Sequence, residues 1–330
     1  MTPKENQHAF FEGRPYAWKP VMTDRIGFQP EEISEYVARA FVSQQEPYTG
    51  PKGGTGWFGI EWEFEPGAGG SISLNPILDD VSEWKEKMPF PNWDDLDWEG
   101  IAKKNADYLN TDKGIQFTVF TGYFERLISL LSFEEAAMEL IMEDYEEDIQ
   151  ELFSALTDLY IDYCQRYRKY FNADWVIIHD DWGTQRSAFF SPAVHKKMIV
   201  PHLTRFVKGC HDCGLIVEMH SCGFIEELIP NLISTGMDTW SGQGLVDKRK
   251  LINEYGDQFK FAVLTNPAKP FESGEGAKEF ATDIFNEFKD KEVNFWTSPR
   301  RCGSKEAFKI INDTIRELGK EYSKERFGEL

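Results

Sequence analysis

The sequence predicts an α/β protein, a single (β/α)8 TIM barrel domain over residues 1–330 with an irregular N-terminal extension. Three observations carry that expectation. From residue 101 onward, short apolar runs alternate with amphipathic stretches, the pattern of parallel strands covered on both faces by crossover helices. No G-x-G-x-x-G follows an early strand, which disfavours the open doubly wound sheet. Finally, the unusual polar residues Asp180, Asp181, His220, Cys222, Gln243, Asn266 and Cys302 each fall at the end of a strand candidate. A barrel gathers its strand ends on one face, and active sites are built there.

The elements follow from local chemistry. Strand candidates are 116–122, 174–183, 215–223, 237–243, 260–266 and 294–303. Between them, 132–170 opens on the capping-box pattern Ser132-Phe-Glu-Glu135 and divides naturally into two helices. Ser191-Pro192 starts another, with proline where its missing N–H costs nothing. Further helices are expected over 223–234, 247–255, 274–289 and 304–327. Residues 1–100 read as an arm and loops. In that stretch 1–30 lacks a period, 30–45 carries a helical pattern, 47–56 is Gly/Pro turn chemistry, and 57–64 is a strand or hairpin arm. Pro66, Pro76, Pro89 and Pro91 forbid a long helix over 65–100.

Composition narrows the function classes. Acidic residues outnumber basic ones 56 to 36, for a formal charge of −20. Such a surface repels phosphate backbones and anionic lipid, so nucleic acid and membrane are not expected partners. No apolar run approaches a membrane span and residues 1–20 lack a signal-like apolar core, so a cytoplasmic protein is expected. Five cysteines spread over 330 residues do not describe a disulfide scaffold. Reduced thiols can bind metal.

The sharpest local signal is His220-Ser-Cys222. In a strand, residues i and i+2 share a side, so the imidazole and thiolate can grip one ion together. With Cys302 at another strand end the set becomes one nitrogen and two sulfurs, which suits zinc with a fourth position open. Cys210-x-x-Cys213 is the rival pair. It ends a helix capped by Gly214 and lacks partners, so ordinary small hydrophobes are expected there. Asp180 and Asp181 are adjacent at a strand end and must point opposite ways. One is expected to cap or brace the barrel, the other to serve the pocket as a catalytic or metal-orienting group. Glu61 shares a strand face with Glu63. It is either a solvated edge carboxylate or a catalytic group reaching the barrel mouth, even the fourth zinc ligand. Trp57, Trp62, Gln185 and Gln243 are the candidate substrate-binding residues, although Trp57 and Trp62 equally suit a core.

Residues 173–243 resemble the uroporphyrinogen decarboxylase superfamily, and within it the cobamide (corrinoid)-dependent zinc methyltransferases. The pieces that carry the resemblance are HDDWGTQ (179–185), FFSPAVHKKMIVPHLTRFV (189–207) and GLIVEMHSCGFIEELIPNLISTGMDTWSGQ (214–243). It extends over 115–320, and the N-terminal third matches poorly. The resemblance implies a barrel with its site at the C-terminal mouth, and zinc held by His220, Cys222 and Cys302. It also implies a corrinoid carried by a separate partner protein. The Arg-rich Q-A-G-R-type segment with which true decarboxylases grip porphyrinogen carboxylates is missing; Arg14 and Arg25 are isolated. That favours the methyltransferase branch, and the aromatic pocket candidates Trp57, Trp62, Phe189, Phe190 and Trp240 point to transfer of a methyl group from a methoxylated small molecule to the corrinoid protein, an O-demethylation. A methylcobamide:thiol methyltransferase is the alternative within the branch. A porphyrinogen-type decarboxylase and a non-catalytic binding barrel are the alternatives outside it.

Overall fold

The protein is seen in a computed structural model that describes residues 1–67, 70–271 and 274–329. The chain forms two compact units, one of Met1–Ile26, Asp112–Gly114 and Asp238–Leu330, the other of Gly27–Thr111 and Ile115–Met237. Strand β1 (Arg25–Gly27) spans the point where the chain passes from the first to the second.

In the larger unit, β2 (Gly53–Thr55), β3 (Glu61–Glu65) and β4 (Gly70–Ser73) form an antiparallel meander, β3 within the run expected as a strand or hairpin arm, β2 and β4 in the flanking stretches expected as turn and loop. Gly53 and Gly54 enter it at φ of +96° and +109°, a region that side-chain-bearing residues rarely adopt. The unit's centre is a parallel run of β5 (Gly114–Val119), β6 (Trp175–His179) and β7 (Ile216–His220). Their apolar continuity is what two covered faces require. The register sets Ile178 beside Met219 and His179 beside His220, so two adjacent strands end in histidine at the same level.

The predicted division of 132–170 is observed as helices Phe133–Glu139 and Glu146–Phe171. The longer one starts with Glu146, Glu147 and Asp148, ends with Arg168 and Lys169, and is closed by Asn172 in the left-handed region. Both charge placements favour the helix dipole. Its buried stripe includes Leu152, Leu156, Tyr160, Tyr163 and Tyr167, at the spacing of one helix face. Tyr167 stacks on Phe117 of β5 with centroids 4.0 Å apart, while Tyr163 meets Trp57 and Trp93 at 5.0 and 4.9 Å. Tyr163 donates to the Tyr36 hydroxyl, which in turn donates to the Thr118 carbonyl, so these buried phenols are satisfied. The helical pattern over 30–45 produces only Ser34–Ala38, because Ala40 at φ +60° turns the chain directly after Arg39.

The smaller unit holds β8 (Thr239–Trp240), β9 (Ala262–Leu264) and β10 (Asn294–Trp296), with β9 and β10 paired in parallel. Helices Lys248–Tyr255, Gly274–Phe288 and Lys305–Phe327 lie where the sequence predicts them. Within the segment expected to be irregular, Pro3–Phe11 is a helix. Thr2 Oγ1 accepts from Glu5 N, the Glu5 carboxylate accepts from Thr2 N, and Pro3 occupies the first turn. Among the described residues no helix is long and apolar enough to cross a membrane.

Candidate metal centre

At the ends of β6 and β7 the larger unit assembles a compact polar cluster. His179 and His220 stack with centroids 4.8 Å apart and planes inclined by 23°. Ligand atoms of His179, Asp181 and His220 all lie within 4.8 Å of one another, close enough to be drawn onto one ion. Cys222 adds a sulfur, its Sγ 3.6 Å from His220 Nε2. A tetrahedral zinc ion with ordinary Zn–N and Zn–S bonds holds its nitrogen and sulfur ligands about 3.6 Å apart. The H-x-C pair thus already has the separation that one shared ion requires.

The surrounding groups orient these ligands. His179 Nδ1 lies 2.8 Å from Glu125 Oε2. A carboxylate only accepts, so Nδ1 carries the proton and Nε2 is left as the metal-facing atom. Burial opposes the charge of this buried pair, yet the Glu125 carboxylate raises the His179 imidazole, and the imidazole lowers Glu125. Asp181 Oδ1 accepts the Cys222 backbone N–H at 2.5 Å, fixing the loop that presents the thiol. Burial, with the Glu125 charge second, pushes the Asp181 carboxyl up.

Side-chain alternation separates the two aspartates. Asp180 is fully buried and accepts from the backbone N–H groups of Tyr123, Phe124 and Glu125 and from Trp182 Nε1, at 2.7 to 3.1 Å. It closes the start of helix Phe124–Leu130, which carries Glu125. Burial and the Glu125 charge push its carboxyl up to about 7, against three amide donors that favour the anion.

The other sequence candidates sit on other elements of the chain. Cys302 belongs to the smaller unit, buried in the turn after β10, where its Sγ–H donates to the Ser298 carbonyl at 3.3 Å and burial raises its thiol. Glu61 is exposed on β3 and its carboxylate is taken by the Thr55 hydroxyl, committed to the hairpin rather than to an ion. Trp57 is a core residue, its N–H donating to Glu35 Oε2. Trp62 is buried against the Arg39 guanidinium, 4.1 Å from ring centre to carbon. Gln185 and Gln243 are both exposed, the former in the loop after β6, the latter in the smaller unit after β8. Cys210 is buried near the end of helix Val200–Asp212, with Gly214 at φ +82° after it.

Sequence reasoning missed His179 and Glu125 as members of this cluster. His179 had a usable signal: WVIIH and IVEMH are strands of equal length that both end in histidine. Glu125, an ordinary helical acid, had none.

Comparisons with known proteins bear on the family and the fold. A profile of the family described as "Uroporphyrinogen decarboxylase (URO-D)" matches residues 58–263. The match reaches well into the N-terminal third, further than the resemblance expected, and stops before Cys302. Among solved structures, a methyltransferase from Methanosarcina mazei superposes with a TM-score of 0.62 at 14% identity, covering 97% of this chain and 98% of that one. A xylanase of glycoside hydrolase family 10 from Gloeophyllum trabeum gives 0.41 at 10% identity over 72% and 83% of the two chains. No curated protein matches. The methyltransferase likeness bears on the fold alone. With the family match it establishes the α/β, TIM-barrel class read from the sequence. Since the profile runs over more than half of its length, the chain belongs to the uroporphyrinogen decarboxylase (URO-D) family.

Proposed function

We propose that this protein is a cytoplasmic, zinc-dependent methyltransferase that moves a methyl group from a methoxylated small molecule to a corrinoid carried by a separate protein. The observation that carries the reading is the 3.6 Å approach of His220 Nε2 and Cys222 Sγ beside His179 and Asp181. A nitrogen–sulfur pair at that spacing, with an imidazole oriented by a carboxylate next to it, is suited to a catalytic ion and gains nothing from metal-free decarboxylation. The Methanosarcina mazei neighbour is a methyltransferase, which points the same way.

In this reading His220 and Cys222 hold the ion, and Cys302 is the proposed third ligand, from the resemblance. Zinc held there would supply Lewis acidity toward the ether oxygen, and the corrinoid of the partner protein would be the methyl acceptor. Glu125 keeps the His179 ring in one orientation, and Asp181, which accepts the Cys222 backbone N–H, holds the loop that presents the thiol. Asp180 serves by holding the helix that positions Glu125.

The test is purification with metal analysis, followed by incubation with methoxylated aromatics and a reduced corrinoid protein. About one zinc per chain and zinc-dependent corrinoid methylation are expected. A metal-free protein that decarboxylates a porphyrinogen overturns the reading. Methylation of a thiol by methylcobamide, without O-demethylation, would assign the opposite direction of transfer.

A further inference from the structure

Besides Arg126 the larger unit buries a second arginine, and among the described residues no anion pairs with it. Arg39 is 8% exposed. Its guanidinium is stacked over Trp62 at 4.1 Å and lies 5.6 Å from the centre of Phe120, whose ring in turn approaches His179 at 5.9 Å. Among the described residues the guanidinium makes no hydrogen bond or ion pair, and its Nε is buried without an acceptor. Trp62 Nε1, on the ring it covers, is likewise a buried donor without an acceptor.

The nearby carboxylates are engaged elsewhere. Glu35 takes Arg126 Nη2 at 2.9 Å, with neither side chain exposed, and the Trp57 N–H at 2.7 Å. Glu125 is held by His179, and Asp181 by the Cys222 N–H. These acids reach Arg39 only through space, where burial lowers its pKa and Glu125, Glu35 and Asp181 raise it. A buried cation is normally retained with a hydrogen-bonded counter-ion. A planar guanidinium with free donors best matches a carboxylate.

The backbone around it is also strained. Ala40, Phe58 and Thr121 have φ of +60°, +62° and +54°. Ala40 follows Arg39 directly, Phe58 covers Arg126 at 4.7 Å, and Thr121 closes the segment after β5. Such conformations persist where the surroundings enforce them, commonly at binding sites. At the edge of the group Phe41, 44% exposed, packs on Phe120 at 4.7 Å.

We infer that Arg39, flanked by Trp62 and Phe120, is the anchor for a carboxylate on the small molecule that reaches the His179–His220 centre, so the substrate is an aryl or alkyl acid rather than a neutral ether. The class of reaction rests on the methyl-transfer reading; the anion site does not. The aromatic walls suit the body of such a ligand, and the two unpaired donors suit its charged end.

The test uses 4-methoxybenzoate and its neutral isostere 4-methoxybenzamide, titrated calorimetrically into the full-length protein with and without zinc. The parent binds the acid about 10- to 100-fold more tightly than the amide, the scale of a charge-assisted hydrogen-bonded pair. Arg39→Gln loses that preference while its amide affinity and melting temperature stay near the parent's, and Arg39→Lys keeps part of it. Equal affinity for acid and amide in the parent, no detectable binding of the acid, or an acid preference that survives in Arg39→Gln overturns the assignment. A protein that shows the Arg39-dependent preference yet methylates no corrinoid would instead sink the methyl-transfer reading and leave the anion site standing.

Discussion

His179 and His220 are register partners at the ends of adjacent parallel strands, and their rings stack at 4.8 Å. Strand pairing alone therefore fixes two imidazoles on one side of the sheet before any loop contributes. Glu125 holds the first ring and Cys222 Sγ faces the second, so the outer groups differ although the strand positions match.

Metal content is the first consequence. His220→Ala and Cys222→Ala should lose most of the bound zinc while the fold survives, because a large barrel core does not depend on a catalytic ion. Glu125→Gln removes the charge that orients the His179 ring and should lower turnover about tenfold or more while zinc stays bound. Cys302→Ala decides the third ligand. Zinc lost with Cys222→Ala but fully retained with Cys302→Ala would transfer that role to Asp181 or His179.

The two aspartates should respond in opposite ways. Asp181→Asn is expected to lower turnover by about tenfold or more with little change in melting temperature, as for a group beside the ligands. Asp180→Asn weakens acceptance from three backbone N–H groups and the Trp182 indole, and should destabilise by about 1–3 kcal/mol. Turnover and thermal melts of both variants check this. An Asp181→Asn enzyme as active as the parent would make that residue structural.

Much of this was legible in the sequence because it depends on period. Two-residue alternation put Asp180 and Asp181 on opposite sides and His220 with Cys222 on one, and the structure has both arrangements. Apolar continuity marked β5, β6 and β7 as buried parallel strands. What stayed hidden depends on contacts between distant segments. Arg39 is one isolated cation until the turn at Ala40 and the meander strand bearing Trp62 enclose it. Glu125 gains its role only because Asp180, from another strand, caps its helix. The helix Pro3–Phe11 was readable, since Thr2-Pro-Lys-Glu5 is a capping box with proline at the start, but aromatic and proline content masked it.

Cys210 and Cys213 are expected to be dispensable for metal. Cys210 is fully buried, while Cys213 donates its Sγ–H to the Cys210 carbonyl at 3.2 Å, a local helix-end contact. A Cys210→Ala/Cys213→Ser variant should keep its zinc and its activity within about threefold, losing at most the 1–3 kcal/mol typical of trimming a buried small side chain. Loss of zinc in that variant would show that the wrong cysteines had been chosen.

Stability should fall on mild acidification because two histidines are folded in the neutral state. His195 is buried between Trp182 and Phe190, at 4.5 and 5.8 Å, and accepts from Asn231 Nδ2 on Nδ1. Burial pushes its pKa down to about 3. His202 donates from Nε2 to Gln150 Oε1 at 2.6 Å, and burial, with Arg205 second, lowers it to about 4. In the unfolded chain both titrate near 6.5. Below that value the unfolded state binds protons that the folded state refuses, so the linked stability is full above pH 6.5 and is lost as pH falls toward 4. Melting temperature should decline over that window in the parent. The decline should be shallower in His195→Phe, which keeps an aromatic ring against Trp182 and Phe190 and removes the titrating group. Because carboxylates also titrate at the acid end, the difference between the two curves from pH 7 to 5 is the quantity to measure. Parallel curves would mean that His195 takes up its proton in the folded protein as readily as in the unfolded one.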